Sequence, residues 1–305
     1  MTQTEIFESA TRSSTEGPPL PWPVVGEPVL PVGARALPPW QRAKLLRIYR
    51  FAALLQASAA PPEGNHRAAA GTLLDALEED VERMLAGHRS GHKVVDALRR
   101  YRSDWPAWAF RHLLAGARQD QLGSCYLDYE GLLSYCDLSG GSLGVLTLHA
   151  LQRSPKQEQL DRVAAVYTSS RLLAICASVG LDSEDGRIYL PIDELQIQGA
   201  STSDLTGELR RVAAPVSRLV EAVSDRAIYM LQAAAAVTRD LPPAPRLAVS
   251  GVVSEAVALH QEMFRTGFDV LQPPPQVSTR EAARGLLRAM RPPSHPEWPP
   301  RGRPR

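Results

Sequence analysis

The chain has 305 residues, 44% apolar and 22% charged, with a formal net charge of +1. That is enough to bury a sizeable core and too balanced to present the basic footprint of a nucleic-acid binder, so no nucleic-acid partner is expected. Its three cysteines, Cys125, Cys136 and Cys176, are odd in number and show no C-x-x-C spacing, which argues against a disulfide framework or a zinc site and fits reduced thiols in the cytoplasm.

Taken in order, residues 1–39 are rich in Ser, Thr, Gly and Pro, a composition expected to stay unfolded. A folded domain is expected over 40–290, and the basic, proline-rich residues 291–305 read as a second unfolded segment. From Trp40 a helical period sets in, with Leu45, Leu46, Tyr49, Ala52, Ala53 and Gln56 on one face until Pro61 and Pro62. Asn65 is a candidate cap for the next helix, where Leu74, Leu77, Val81 and Leu85 form a stripe opposite Asp75, Glu78, Glu79 and Glu82. Such carboxylates can hold a metal, but a solvated helix face is the stronger reading. His88 and His92 in HRSGH lack a third ligand and read as a surface loop.

Asp128 is a plausible cap for a helix packed through Leu132, Leu133, Tyr135, Cys136, Leu143, Leu146 and Leu148. Gly140, Gly141 and Gly144 interrupt it at about 1 kcal/mol each relative to Ala, which favours a place where backbone meets a neighbouring helix or a bulky ligand. GGSLG follows no strand and lacks the Lys-Ser/Thr ending of a phosphate loop.

The stretch from Arg162 to Leu195 organises the rest. Val163, Val166, Ser170, Leu173, Ala174 and Ala177 form a buried stripe. The helix is expected to stop at Gly180, ahead of Asp182, Glu184, Asp185, Gly186 and Pro191, so that a buried helix runs out into a carboxylate rim. Further helices follow from Ser203 and Asp204, from Pro215, and up to Gly267. No run of eighteen apolar residues and no secretory signal is present, so no spanning helix is expected, although peripheral contact with the inner face of the membrane stays open. Strand alternation is absent, which makes the fold all-α, of roughly eight to ten helices.

IYRFA at 48–52, RQD at 118–120, LLSYCDLSGGSLG at 132–144, GRIYLPIDEL at 186–195 and TGFDVL at 266–271 together resemble the squalene/phytoene synthase family, and more closely the squalene-synthase-like proteins of bacterial hopanoid clusters. The resemblance implies a single-domain, isoprenoid-synthase-type helical bundle around a central cavity. Active members hold magnesium on two aspartate-rich motifs, where it stabilises the charge of a departing diphosphate while an apolar cavity shields the carbocation.

This chain departs from that pattern at the decisive places. After IYRFA it reads Ala53 to Ala60 with no carboxylate, and in the second motif Ala174 and Ser178 stand where the family has Asn and Asp. Cys125 replaces an arginine near Tyr126. By resemblance, Asp182 and Tyr126 are the catalytic candidates, with Arg187, Asp120, Tyr49, Phe51 and Tyr135 as substrate-binding candidates. Asp182 with Arg187 reads equally as a loop salt bridge, and the aromatics as core. No metal ligand is assigned and no cofactor expected.

The leading expectation is a degenerate member of isoprenoid metabolism that binds a prenyl diphosphate or other isoprenoid lipid, or partners an active homologous synthase. One alternative is an active prenyltransferase that recruits Mg²⁺ through Asp182, Glu184 and Asp185 or through the acidic helix. Another is a helical assembly scaffold.

Overall fold

A computed structural model of the chain describes residues 28–59, 67–123, 125–205, 213–271, 275 and 277–289. The expectations for residues 1–27, for Pro61, Pro62 and Asn65, and for 291–305 lie outside that set. In order the helices are α1 (Val32–Arg35), α2 (Pro39–Ala59), α3 (Arg67–Leu85), α4 (Lys93–Asp96), α5 (Ala107–Leu122), α6 (Tyr129–Cys136), α7 (Ser142–Leu151), α8 (Gln157–Glu184), α9 (Ile192–Ile197), α10 (Thr202–Leu205), α11 (Ala213–Ala235), α12 (Pro243–Arg265) and α13 (Thr279–Ala289). Among the described residues there is no strand, and the all-α expectation holds.

The bundle is built on α8, which packs against α11, α12, α7 and the π-helical turn Asp137–Gly141 that joins α6 to α7. One apolar cluster gathers around α8, α11 and α12, with Val163, Val166, Leu173, Val220, Leu231 and Val249 inside it. A second joins α2, α3 and α5 through Leu45, Ile48, Phe51, Leu74, Leu77 and Phe110. Serving both sides explains the composition of α8. It is long and apolar enough to cross a bilayer, yet 67% of its most apolar window is buried inside the bundle, which makes it a core helix rather than a surface one.

Local chemistry sets several boundaries. The Asp128 carboxylate accepts from Gly131 N at 2.8 Å and starts α6 as a cap. The π turn brings Gly140 against α8, where a Cβ would lie 2.6 Å from the Tyr167 carbonyl and 2.8 Å from Arg171 Cβ. The neighbouring helix, not a ligand, therefore accounts for this glycine. Helix α8 does not stop at Gly180 but runs to Glu184. Gly180 is instead a point of close approach, with its N–H donating to Val270 O at 3.2 Å and a Cβ there falling 2.8 Å from that oxygen.

The unfolded segment expected over 1–39 is corrected at its end. Residues 28–39 include α1, bury Leu30, Ala34 and Leu37, and dock on α12. There Val32 N donates to Glu255 Oε1 at 2.7 Å, and a Cβ on Gly251 would fall 2.5 Å from Gly33 N. Two crossing glycines let the backbones touch, which a composition count does not reveal.

The acidic face of α3 is an ion-pair surface toward α5. Asp75 and Glu78 share Arg118, while Glu82 takes Arg111 at 2.7 and 2.9 Å. The HRSGH loop is tied to the same helix, since Asp80 accepts from Gly91 N and His92 N, both at 2.7 Å. His92 Nδ1 caps α4 through Val94 N, and burial holds its pKa below the usual histidine value.

Candidate functional site

Helix α2 has one buried face and one partly exposed face that borders a cavity. Leu45, Ile48, Phe51 and Leu55 point into the second core cluster, while Tyr49, Ala52 and Gln56 turn toward α8. There, with Ser170, Arg171 and Ala174, they line a cavity of about 270 Å³. Leu113, Ala117 and Asp120 of α5, Tyr135 of α6, Leu143 of α7, and Val252 and Glu255 of α12 add to its walls, and Val29 and Pro31 border one side.

RQD makes three separate ties because consecutive helical residues fan out by about 100°. Arg118 reaches back to α3, Gln119 Oε1 accepts from Tyr126 Oη at 3.1 Å, and Asp120 faces the cavity. Its carboxylate accepts from Tyr135 Oη at 2.9 Å and from Tyr189 Oη at 2.8 Å. Tyr126, Tyr135 and Tyr189 pack ring on ring, with centroids 5.4–6.2 Å apart.

Arg171 Nη2 donates to Tyr135 Oη at 2.7 Å, and its guanidinium lies 5.6 Å from the Tyr135 ring centre. Burial works to lower its pKa, but the Tyr135 and Asp120 groups outweigh that and hold it firmly charged. Burial pushes the Tyr135 phenol up to about 12, and Tyr126 and Tyr189 move the same way for the same first cause. All three are neutral donors, unsuited to act as bases at ordinary pH. On the opposite wall Tyr49 and Tyr167 share a hydroxyl contact of 3.1 Å.

The candidates from sequence therefore divide. Tyr49, Asp120 and Tyr135 line the cavity, and Tyr126 stands behind Tyr135. Phe51 is corrected: it is fully buried, edge-on to Phe110 with ring centres 5.6 Å apart, and it meets the core instead of the cavity. Asp182 and Arg187 lie off the cavity lining, at the end of α8. Asp182 accepts from Ser178 Oγ and sits 3.6 Å from Arg187 Nε, whose Nη2 donates to Asp185 at 2.7 Å. Burial raises the Asp182 pKa, against the pull of Ser178 and Arg187. The crevice beside this pair holds only about 10 Å³, room for one water at most.

Arg171, Tyr189, Tyr167 and Glu255 were not foreseen. A lone arginine inside the apolar run VYTSSRLLAICAS was the one available signal, because a buried cation demands partners.

Magnesium does not fit the residues present. Among the described residues no three His, Cys, Asp or Glu side chains come together as a metal site. Of the two carboxylates at the cavity, Asp120 is engaged by two phenols and Glu255 by Val32 N, whereas Mg²⁺ wants free carboxylate oxygens in octahedral order.

Residues 30–281 match the family described as squalene/phytoene synthase. The 15-cis-phytoene synthase of Synechococcus elongatus is 32% identical over 146 residues, covering 43% of this chain and 47% of that protein. Phytoene synthase 3 of Zea mays is 26% identical over 182 residues, covering 57% and 42%. The matches thus span less than half the length of these curated relatives. Among solved structures, the squalene synthase HpnC of Alicyclobacillus acidocaldarius superposes with a TM-score of 0.69 at 23% identity, over 78% of this chain and 88% of that one. A dehydrosqualene synthase crystallised with a ligand gives 0.71 at 18% identity, over 85% and 89%. At these identities the structures establish a shared fold.

Proposed function

The chain belongs to the squalene/phytoene synthase family, and from that premise we propose that it holds one prenyl chain in the α2–α8 cavity without magnesium-dependent ionisation of a diphosphate. The observation that carries this is the identity of the facing side chains. Where α2 and α8 look at each other across the cavity they present Tyr49, Ala52, Leu55 and Gln56 on one side and Tyr167, Ser170, Arg171 and Ala174 on the other, with no carboxylate among them to anchor a divalent ion.

Loss of the metal removes the charge stabilisation that drives carbon–oxygen cleavage, while the apolar walls keep their affinity for hydrocarbon. A volume of about 270 Å³ lies at the lower edge of the ~300–1,000 Å³ range of small-molecule sites. It suits one chain better than the two that a head-to-head condensation brings together. The protein then acts as a carrier of an isoprenoid, or as a partner of an active homologous synthase.

Incubation of the purified protein with farnesyl diphosphate or presqualene diphosphate and Mg²⁺, followed by assay of inorganic pyrophosphate, tests this. The expected result is no chelator-sensitive release, together with saturable binding of the prenyl chain in EDTA. Chelator-sensitive release would identify an active prenyltransferase and overturn the proposal. Absence of binding would leave the bundle as a scaffold.

A further inference from the structure

Three charged side chains touch the cavity, and they differ in how far each is satisfied. Asp120 accepts from two phenols, and Glu255 accepts from Val32 N. Arg171 is the exception. Of its five N–H groups, one donates to a neutral phenol, its Nε has no partner, and no carboxylate among the described residues pairs with it directly. A guanidinium held in a largely apolar pocket with donors to spare is costly unless an anion completes it, and its planar fork suits a phosphate or carboxylate.

The fold holds Arg171 there. Gly140 allows the π turn to press against Arg171 Cβ, and the Tyr135 ring and hydroxyl fix the plane of the guanidinium.

We propose that Arg171 directly seats the phosphate-type head of the prenyl ligand, so that the cavity selects phosphorylated over neutral chains with no divalent cation. This rests on the prenyl-binding reading above and adds to it the chemistry of the head group. The hydrocarbon lies along Ala52, Leu55, Leu113, Leu143 and Ala174, while the head meets the donors that Tyr135 leaves free. Asp120 opposes an incoming anion least with both carboxylate oxygens turned to Tyr135 and Tyr189, and Glu255 lies on the wall formed by Pro31 and Val252.

The test is titration of the full chain in EDTA with farnesol, farnesyl phosphate and farnesyl diphosphate. Both phosphorylated chains are expected to bind at least about ten-fold more tightly than farnesol, the size of a charge-assisted contact. In Arg171→Gln that preference is expected to vanish while farnesol affinity is kept. Ala174→Asp places a carboxylate one turn along the same helix face and is expected to erase the preference with Arg171 still in place, which covers failure of the first variant to fold. Equal affinity for all three ligands in the wild type, or a preference that survives in either variant, overturns the role of Arg171 and leaves prenyl binding standing. Failure of all three to bind overturns the prenyl-binding reading as well.

Discussion

Arg171 is linked to Asp120 through a single phenolic oxygen: Tyr135 Oη accepts from Arg171 Nη2 and donates to Asp120 Oδ2. This relay makes Tyr135 the most sensitive of the stacked tyrosines. Removal of its hydroxyl leaves two buried charges without their bridge, so Tyr135→Phe should cost about 2–3 kcal/mol. Tyr189→Phe deletes one of two bonds to the same carboxylate and should cost about 1 kcal/mol. Urea unfolding of the two variants measures the gap, and equal losses would show that the relay does not matter.

Acid should relieve a penalty at Asp182. Its folded-state pKa is raised, by burial first, so the folded protein binds the proton more tightly than the unfolded chain does. Stability from this group therefore falls as pH rises from the ordinary Asp value near ~3.9 through the raised folded one. Asp182→Asn removes the titration. The Tm of this variant relative to wild type should climb as pH is taken from 4 to 7, and a flat difference would contradict the sign.

The π turn leaves no room at residue 140. Gly140→Ala pushes a methyl into the Tyr167 carbonyl and Arg171 Cβ, and overpacking of this kind costs about 1–3 kcal/mol. The loss should appear in thermal melts and be accompanied by weaker ligand binding, since Arg171 is the side chain displaced.

A divalent site can be installed as a positive control on the reading of the cavity. Gln56 and Ala174 line it from opposite helices, and Gln56→Asp combined with Ala174→Asp supplies a carboxylate from each. The double variant should show a Tm that rises with millimolar Mg²⁺ as mass action requires, while the wild-type Tm stays put.

Helical period made the bundle readable. The cap at Asp128 follows from local chemistry and stands in the structure, as do Val163, Val166, Leu173 and Ala177 of the α8 stripe, whereas Ser170 and Ala174 are only half-buried and line the cavity. The same period could not say which face of α2 meets the core. Tyr49, Ala52 and Gln56 share a face with Leu45, yet they end at the cavity, while Ile48 and Phe51 take the core. Asp120, Tyr49 and Tyr135 came from motif resemblance, and their partners did not. Tyr189 lies 69 residues from Asp120 and Tyr49 lies 118 from Tyr167, and pairings over such separations leave no periodic trace. The docking of residues 28–39 was missed for a related reason, since it depends on two glycines more than two hundred positions apart.

Val29 and Pro31 supply one side of the cavity from outside the bundle. They sit beside a four-residue helix moored to α12 by the Glu255 carboxylate. That wall is no loose flap: Leu30, Ala34 and Leu37 beside it are buried in the second core cluster, so a change that frees residues 28–37 loosens the bundle core together with the rim of the cavity.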